Sequence, residues 1–253
     1  VLLVFNVWRR VLGMHYSEFF TIIRGNVLWA LLCLPFALYS YIALLPLITE
    51  EAETAQETPI IFLGISYLIA SLVLLALAGP ATAAIYDYAT KSLAYEAVGM
   101  RDFMEAFRTH FIKGYLVAAV DLVLLAVLVL NAWFYLTADV PQLFRVLSIV
   151  FFWGIVFWVA IQPYLFSVMI RLETSVFQTY RNAVLLALDN LGVTVSLIGV
   201  QLVMLFFFIP LVAVAFPVLA GSVFAHTHVA VLDELLDQYE TKRGGTETSQ
   251  SDS

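Results

Sequence analysis

Long apolar runs, broken by short polar segments, set the pattern of this chain. Six runs stand out: Val27–Ile48, Ile60–Ala78, Gly114–Leu136, Val146–Ile170, Leu191–Ile209 and Leu211–Leu232. Each approaches or exceeds the roughly 20 mostly apolar residues that carry a helix across a bilayer. They predict an all-α polytopic membrane bundle of about six transmembrane helices. The last two runs are divided only by Pro210. One helix over both would be about twice the length a bilayer needs. Pro210 and Pro217 each remove a backbone donor, so a tight re-entry turn near Pro210 is expected. A five-span version, with that stretch as one helix, is the alternative. The plan is then a cytoplasmic or interfacial segment 1–26, a membrane domain 27–232, and a cytoplasmic helix end with a tail, 233–253. Thr241–Ser253 is polar, holds two glycines and has no apolar anchor, so it reads as disordered.

Charge placement tests the count. With the N-terminus inside and the sides alternating, all of the 12 Lys and Arg except Arg145 fall on cytoplasmic segments. The first outer loop carries Glu50, Glu51, Glu53 and Glu57 and no base. This asymmetry is the positive-inside pattern, and it fits a bacterial inner membrane with both ends in the cytoplasm. Val1–Val7 is apolar, but Arg9 and Arg10 follow it, the reverse of a signal peptide.

Composition agrees and excludes other classes. Hydrophobic residues make up 62% of the chain and charged residues 12%, about half the usual charged share of a soluble domain. A net charge of −7 opposes a nucleic-acid partner, which needs a basic face. The lone Cys33 lies in an apolar run and reads as a small buried hydrophobe.

Between the spans a plan recurs three times. A short amphipathic lead-in precedes a span, and a second span returns with a proline. The lead-ins are Ser17–Asn26, Asp102–Lys113 and Ser175–Asn190; the prolines are Pro80, Pro163 and Pro217. Each lead-in sets an aromatic four or five residues before an Arg: Phe20 and Arg24, Phe103 and Arg108, Phe177 and Arg181. Duplication is one explanation, and the shared needs of short cytoplasmic loops are the other. In the second lead-in Met100, Phe103, Met104, Phe107 and Phe111 share one helical face. Gly99 can close the preceding helix and Asp102 can cap this one. Such a helix would lie in the membrane interface with its aromatic face on acyl chains, or would dock a cytoplasmic partner. Ser175 and Gln178 have capping-box spacing.

Polar residues inside the spans are the candidate chemistry. Asp121 falls about 10 Å into its span, where a carboxylate is costly unless paired, hydrogen-bonded or protonated. His226 lies at about the same depth, roughly 9 Å. Gln162, Thr194, Ser196 and Ser222 share the inner half and can complete one polar layer around Asp121 and His226. The two readings are a proton or solute site and a hydrogen-bonded helix contact. His226 and His228 are two apart, so a helix points them to different sides and no metal site is expected. No nucleophile elbow, phosphate loop or zincin motif is present, so no catalytic residue and no cofactor is assigned, and the protein is read as a non-enzyme.

The stretch GPATAAIYDYATKSLAYEAVGMRDFMEAFRTHFIKG begins at Gly79 and follows a span opening with NVLWALLCLP. This arrangement resembles the YesL-like family of bacterial membrane proteins, a domain of unknown function. The matching positions are Asn26, Pro35, Gly79, Pro80, Ala81, Ala84, Phe103 and Phe107. The likeness covers about residues 15–125, and later agrees in span layout and around Phe166–Leu188. It implies an accessory role beside carbohydrate uptake, with a membrane transport complex as partner and the bilayer as surroundings. A small transporter is the alternative. Gly79-Pro80 also has a physical reading, since proline kinks a helix and small residues let helices approach.

Overall fold

The computed structural model describes residues 3–7, 9, 11, 19–48, 60–94, 96–138, 141–208 and 220–251. All regular structure among them is helical. We number the helices α1 (Phe19–Ile48), α2 (Ile60–Leu93), α3 (Met100–Thr109), α4 (Phe111–Thr137), α5 (Gln142–Arg145), α6 (Leu147–Arg171), α7 (Val176–Asp189), α8 (Leu191–Phe208) and α9 (Gly221–Ser251). Four stretches are long and apolar enough to cross a membrane: Ile22–Ala43, Gly64–Leu93, Phe111–Thr137 and Gln142–Arg171. A fifth is reached if α7 and α8, bent by 98°, count as one broken span.

The runs at 114–136, 146–170 and 191–209 match α4, α6 and α8 closely. Two others differ instructively. Helix α2 does not stop near Ala78; it continues through Pro80 to Leu93. Proline costs one backbone hydrogen bond, but the alanine-rich turns beyond it favour helix. Ala81, Ala83, Ala84 and Ala89 are fully buried there. Helix α1 begins by Phe19, so the described part of the first lead-in is continuous with its span. The lead-in plan is thus separate helices in two cases, α3 and α7. Pro210, Pro217 and the acidic first outer loop lie outside the described residues.

The polar stretch expected to be a disordered tail is helical as far as Ser251. Helix propagation adds one bond per residue once a nucleus is anchored, and α9 is anchored by buried Val229, Val231, Leu232 and Leu235.

Two apolar clusters hold the bundle. One joins Val4, Val7 and Val11 to Tyr164 and Val168 of α6, Ala183 of α7 and Val231 of α9. Val4, Val7 and Val11 thus pack into the core as a helically spaced valine face. The second cluster joins the Ala83–Ala89 face of α2 to Phe103 of α3, Met169 of α6, and Ala225 and Val229 of α9.

Candidate functional site

Among the described residues, helix α4 carries the carboxylate farthest from a helix end in the four membrane-length apolar stretches. Asp121 stands about 15 Å along α4 from Phe111. Trp158 and Gln162 sit one turn apart on α6, so both reach it. Trp158 Nε1–H and Gln162 Nε2–H each donate to Asp121 Oδ1 at 2.9 Å. Both donors land on one oxygen. The surrounding contacts fix the register of α4: Tyr180 of α7 donates to the Val117 carbonyl at 2.9 Å, and Lys113 Nζ donates to the Met169 carbonyl at 3.4 Å. Asp121, Trp158 and Gln162 are half-buried.

The expected single polar layer divides. Asp121 and Gln162 meet, as their depths suggested. Among the described residues the Asp121 carboxylate takes its hydrogen bonds from Trp158 and Gln162, not from His226. Thr194 joins another group: its hydroxyl pairs with Tyr164 Oη at 2.9 Å and donates to the Asn190 carbonyl at 3.1 Å. His226 is buried on α9, with Nδ1 2.7 Å from the Ser222 carbonyl. A carbonyl only accepts, so Nδ1 carries the hydrogen. Ser222 Oγ donates to the Ile22 carbonyl at 3.1 Å, and Asn26 Oδ1 accepts from the Ser222 N–H at 2.7 Å. Asn26 thereby satisfies an orphan donor in the buried first turn of α9. Ser196 closes on its own helix, donating to the Gly192 carbonyl at 2.7 Å. Depth on a span was legible; the direction around the helix axis was not.

A further buried relay escaped the sequence reading. Tyr86 Oη lies 2.6 Å from His228 Nδ1, and Gln201 Nε2 closes on His228 Nε2. These three side chains connect α2, α9 and α8. Phe224 stacks on the imidazole and Phe166 tilts against Tyr86. Nδ1 faces the Tyr86 hydroxyl and Nε2 faces the Gln201 amide, so a hydrogen on one ring nitrogen leaves the other as acceptor. The signal was available in part, since Gln201 is the lone amide in an apolar run.

The structural motif residues have clear roles. A Cβ on Gly79 would lie 2.8 Å from the Gly114 carbonyl, and a Cβ on Gly114 would lie 2.9 Å from Ala83 Cβ. Helices α2 and α4 cross there backbone to backbone, with Ala83 and Ala118 one turn further along each. Pro163 is buried in α6, and its carbonyl accepts from Ser167 Oγ at 3.0 Å. The aromatic stripe of the second lead-in does not face lipid as a unit. Phe103 is fully buried and meets Tyr88 edge-on at 6.4 Å. Phe107 packs edge-on with Phe111 at 5.7 Å, and of the stripe Phe111 and the two methionines are exposed. Ala106 is buried beside Phe103, so this face of α3 serves the core. Asp102 caps from inside the first turn: its Oδ2 accepts from the Gly99 N–H at 2.8 Å. The Ser175–Gln178 capping box forms as its spacing requires.

At the basic end, Asp87 holds Lys91 at 2.7 Å with His110 at 3.7 Å, and Arg171 holds Asp233 at 2.5 Å. A cleft of about 220 Å³ opens nearby between Asp189, Asn190, Leu235, Gln238 and Tyr239. Among the described residues no three His, Cys, Asp or Glu side chains are grouped to hold a metal. Comparison with known proteins gives no match: no family model, curated protein or solved structure aligns with the chain.

Proposed function

We propose that this is a six-span, non-enzymatic protein of a bacterial inner membrane, with both termini in the cytoplasm. In this reading it is an accessory or scaffold component of a carbohydrate-uptake system. The supporting observation is where the polar side chains inside the apolar bundle direct their hydrogen bonds. Asp121 is held by Trp158 and Gln162, and His228 by Tyr86 and Gln201, each across helix boundaries. Such bonds staple helices together. The sixth span rests on the apolar run 211–232, the orientation on the one-sided bases, and the carbohydrate connection on the YesL-like motif.

A small transporter using the Asp121 site is the second reading, favoured by a half-buried carboxylate at mid-span. Affinity purification from native membranes in mild detergent separates the two. The scaffold reading expects a sugar permease to co-purify in stoichiometric amount, and no sugar flux from proteoliposomes holding this protein alone. Flux by the isolated protein that falls in Asp121→Asn replaces it with the transporter reading. A reporter fused after Ser253 that is active only in the cytoplasm tests the six-span count.

A further inference from the structure

The two short helices at the basic end keep part of their apolar surface outside the bundle. Helix α3 buries Phe103 and Ala106 and leaves Met100 and Met104 exposed. Helix α7 buries Thr179, Ala183, Leu186 and Ala187 and leaves Phe177 78% exposed, with Leu185 and Leu188 on its outer side. On these same helices Arg101, Arg108 and Arg181 are exposed. Among the described residues none of the three forms an ion pair, whereas Lys91 and Arg171 at this end are paired. Of the acids of α3, Asp102 caps Gly99, and Asp102 and Glu105 also lie within electrostatic reach of Lys91.

Unpaired guanidinium groups beside exposed Phe, Leu and Met match one environment well. The apolar side chains enter the acyl boundary, and the planar fork of Arg binds phosphate with two parallel hydrogen bonds. An anionic leaflet attracts each such base electrostatically. The 98° bend between α7 and α8 adds geometry: with α8 upright in the bilayer, α7 lies along its surface. We propose that the outer faces of α3 and α7 form a docking surface for anionic phospholipid headgroups, with Arg101, Arg108 and Arg181 taking the lipid phosphates. This surface depends neither on the scaffold role nor on which side the basic end faces; it needs only that this end lies at a membrane boundary.

The test uses the purified full chain in a neutral maltoside detergent, with its melting temperature measured on adding phosphatidylglycerol or phosphatidylcholine. Phosphatidylglycerol should raise the melting temperature by several degrees more than phosphatidylcholine, and about 0.5 M salt should remove most of the difference, as screening requires. The triple variant R101Q/R108Q/R181Q should melt as the wild type does without lipid and lose the preference, and the triple Arg→Lys variant should keep part of it. Equal responses to the two lipids overturn the proposal, as does a preference that survives in the triple Gln variant. A response to glycerol phosphate equal to that of phosphatidylglycerol assigns the arginines to a soluble phosphate ligand and overturns the lipid surface. Should the triple variant melt lower without lipid, Arg181→Gln alone and the salt dependence of the wild type decide the outcome.

Discussion

Helix α4 meets its neighbours by two unlike chemistries, about two turns apart. At Gly114 it meets the Gly79 backbone and the Ala83 methyl of α2, with no room for a larger side chain. At Asp121 it touches Trp158 and Gln162 of α6 through a carboxylate and two donors. The first contact is specified by what is missing, so it depends on shape alone. The second is specified by an acceptor at one point in space, so it depends on an oxygen and tolerates other changes. In a bilayer neither contact gains from the hydrophobic effect, since lipid tails are as apolar as the side chains. Close van der Waals approach and hydrogen bonding must therefore hold α4, and the two contacts separate those terms.

Breaking the shape contact should have the larger effect. In Gly79→Leu even the first added carbon meets the Gly114 carbonyl oxygen at 2.8 Å, and that oxygen belongs to a helix backbone that cannot turn aside. Forcing α2 and α4 apart should cost about 3 kcal/mol or more, the upper part of the overpacking range. Chemical unfolding in mixed micelles would show it as a fall in midpoint, and Gly64→Leu, where a Cβ meets nothing within 4 Å, is the matched control. A stability equal to that control would show that the crossing has room to spare.

The polar contact comes next. Asp121→Leu removes the shared acceptor and leaves two donors facing apolar surface, which should cost about 1–3 kcal/mol. Trp158→Phe keeps the ring packing and deletes a single donor, so its cost should be near 1 kcal/mol, within the range of interhelical hydrogen bonds in membranes. A double-mutant cycle between these two positions should return a coupling of about 0.5–1 kcal/mol. Additive effects would mean that the Trp158 bond carries no weight.

Much of this arrangement is written in the chain, and what is not follows a rule. The spans of α4 and α6 were legible because Lys113 and Arg171 bracket their apolar runs. The pairing of Asp121 with Gln162 was legible as two polar residues at inner depth. Trp158 was not, because an indole counts as apolar in any hydropathy pattern while its N–H behaves as a donor. His226 was placed with Asp121 because depth follows from residue counting, whereas the direction around the helix follows from packing between distant segments. The same limit explains Phe103. Helical spacing grouped it with Met100 and Phe111, but packing against Tyr88 selected it for the core. It also explains the overrun of α2: the apolar run ends at Ala78, but the alanine face beyond Pro80, packed in the core, carries the helix on.

The smallest expected effect is the most informative about the site. Asp121→Asn keeps the side-chain shape and puts a carbonyl oxygen where Oδ1 stands. An amide oxygen has two lone pairs, so it can accept from Trp158 Nε1–H and Gln162 Nε2–H together. The amide NH₂ then occupies the Oδ2 position, to which neither Trp158 nor Gln162 donates. Stability should change by no more than about 0.5 kcal/mol, below the cost of Trp158→Phe, if the carboxylate acts only as an acceptor between helices. A loss as large as that of Asp121→Leu would show that the negative charge or the carboxyl proton is itself required at mid-span. The carboxylate would then hold α4 to α6 by its charge or its proton, and flux from proteoliposomes would decide between staple and transporter.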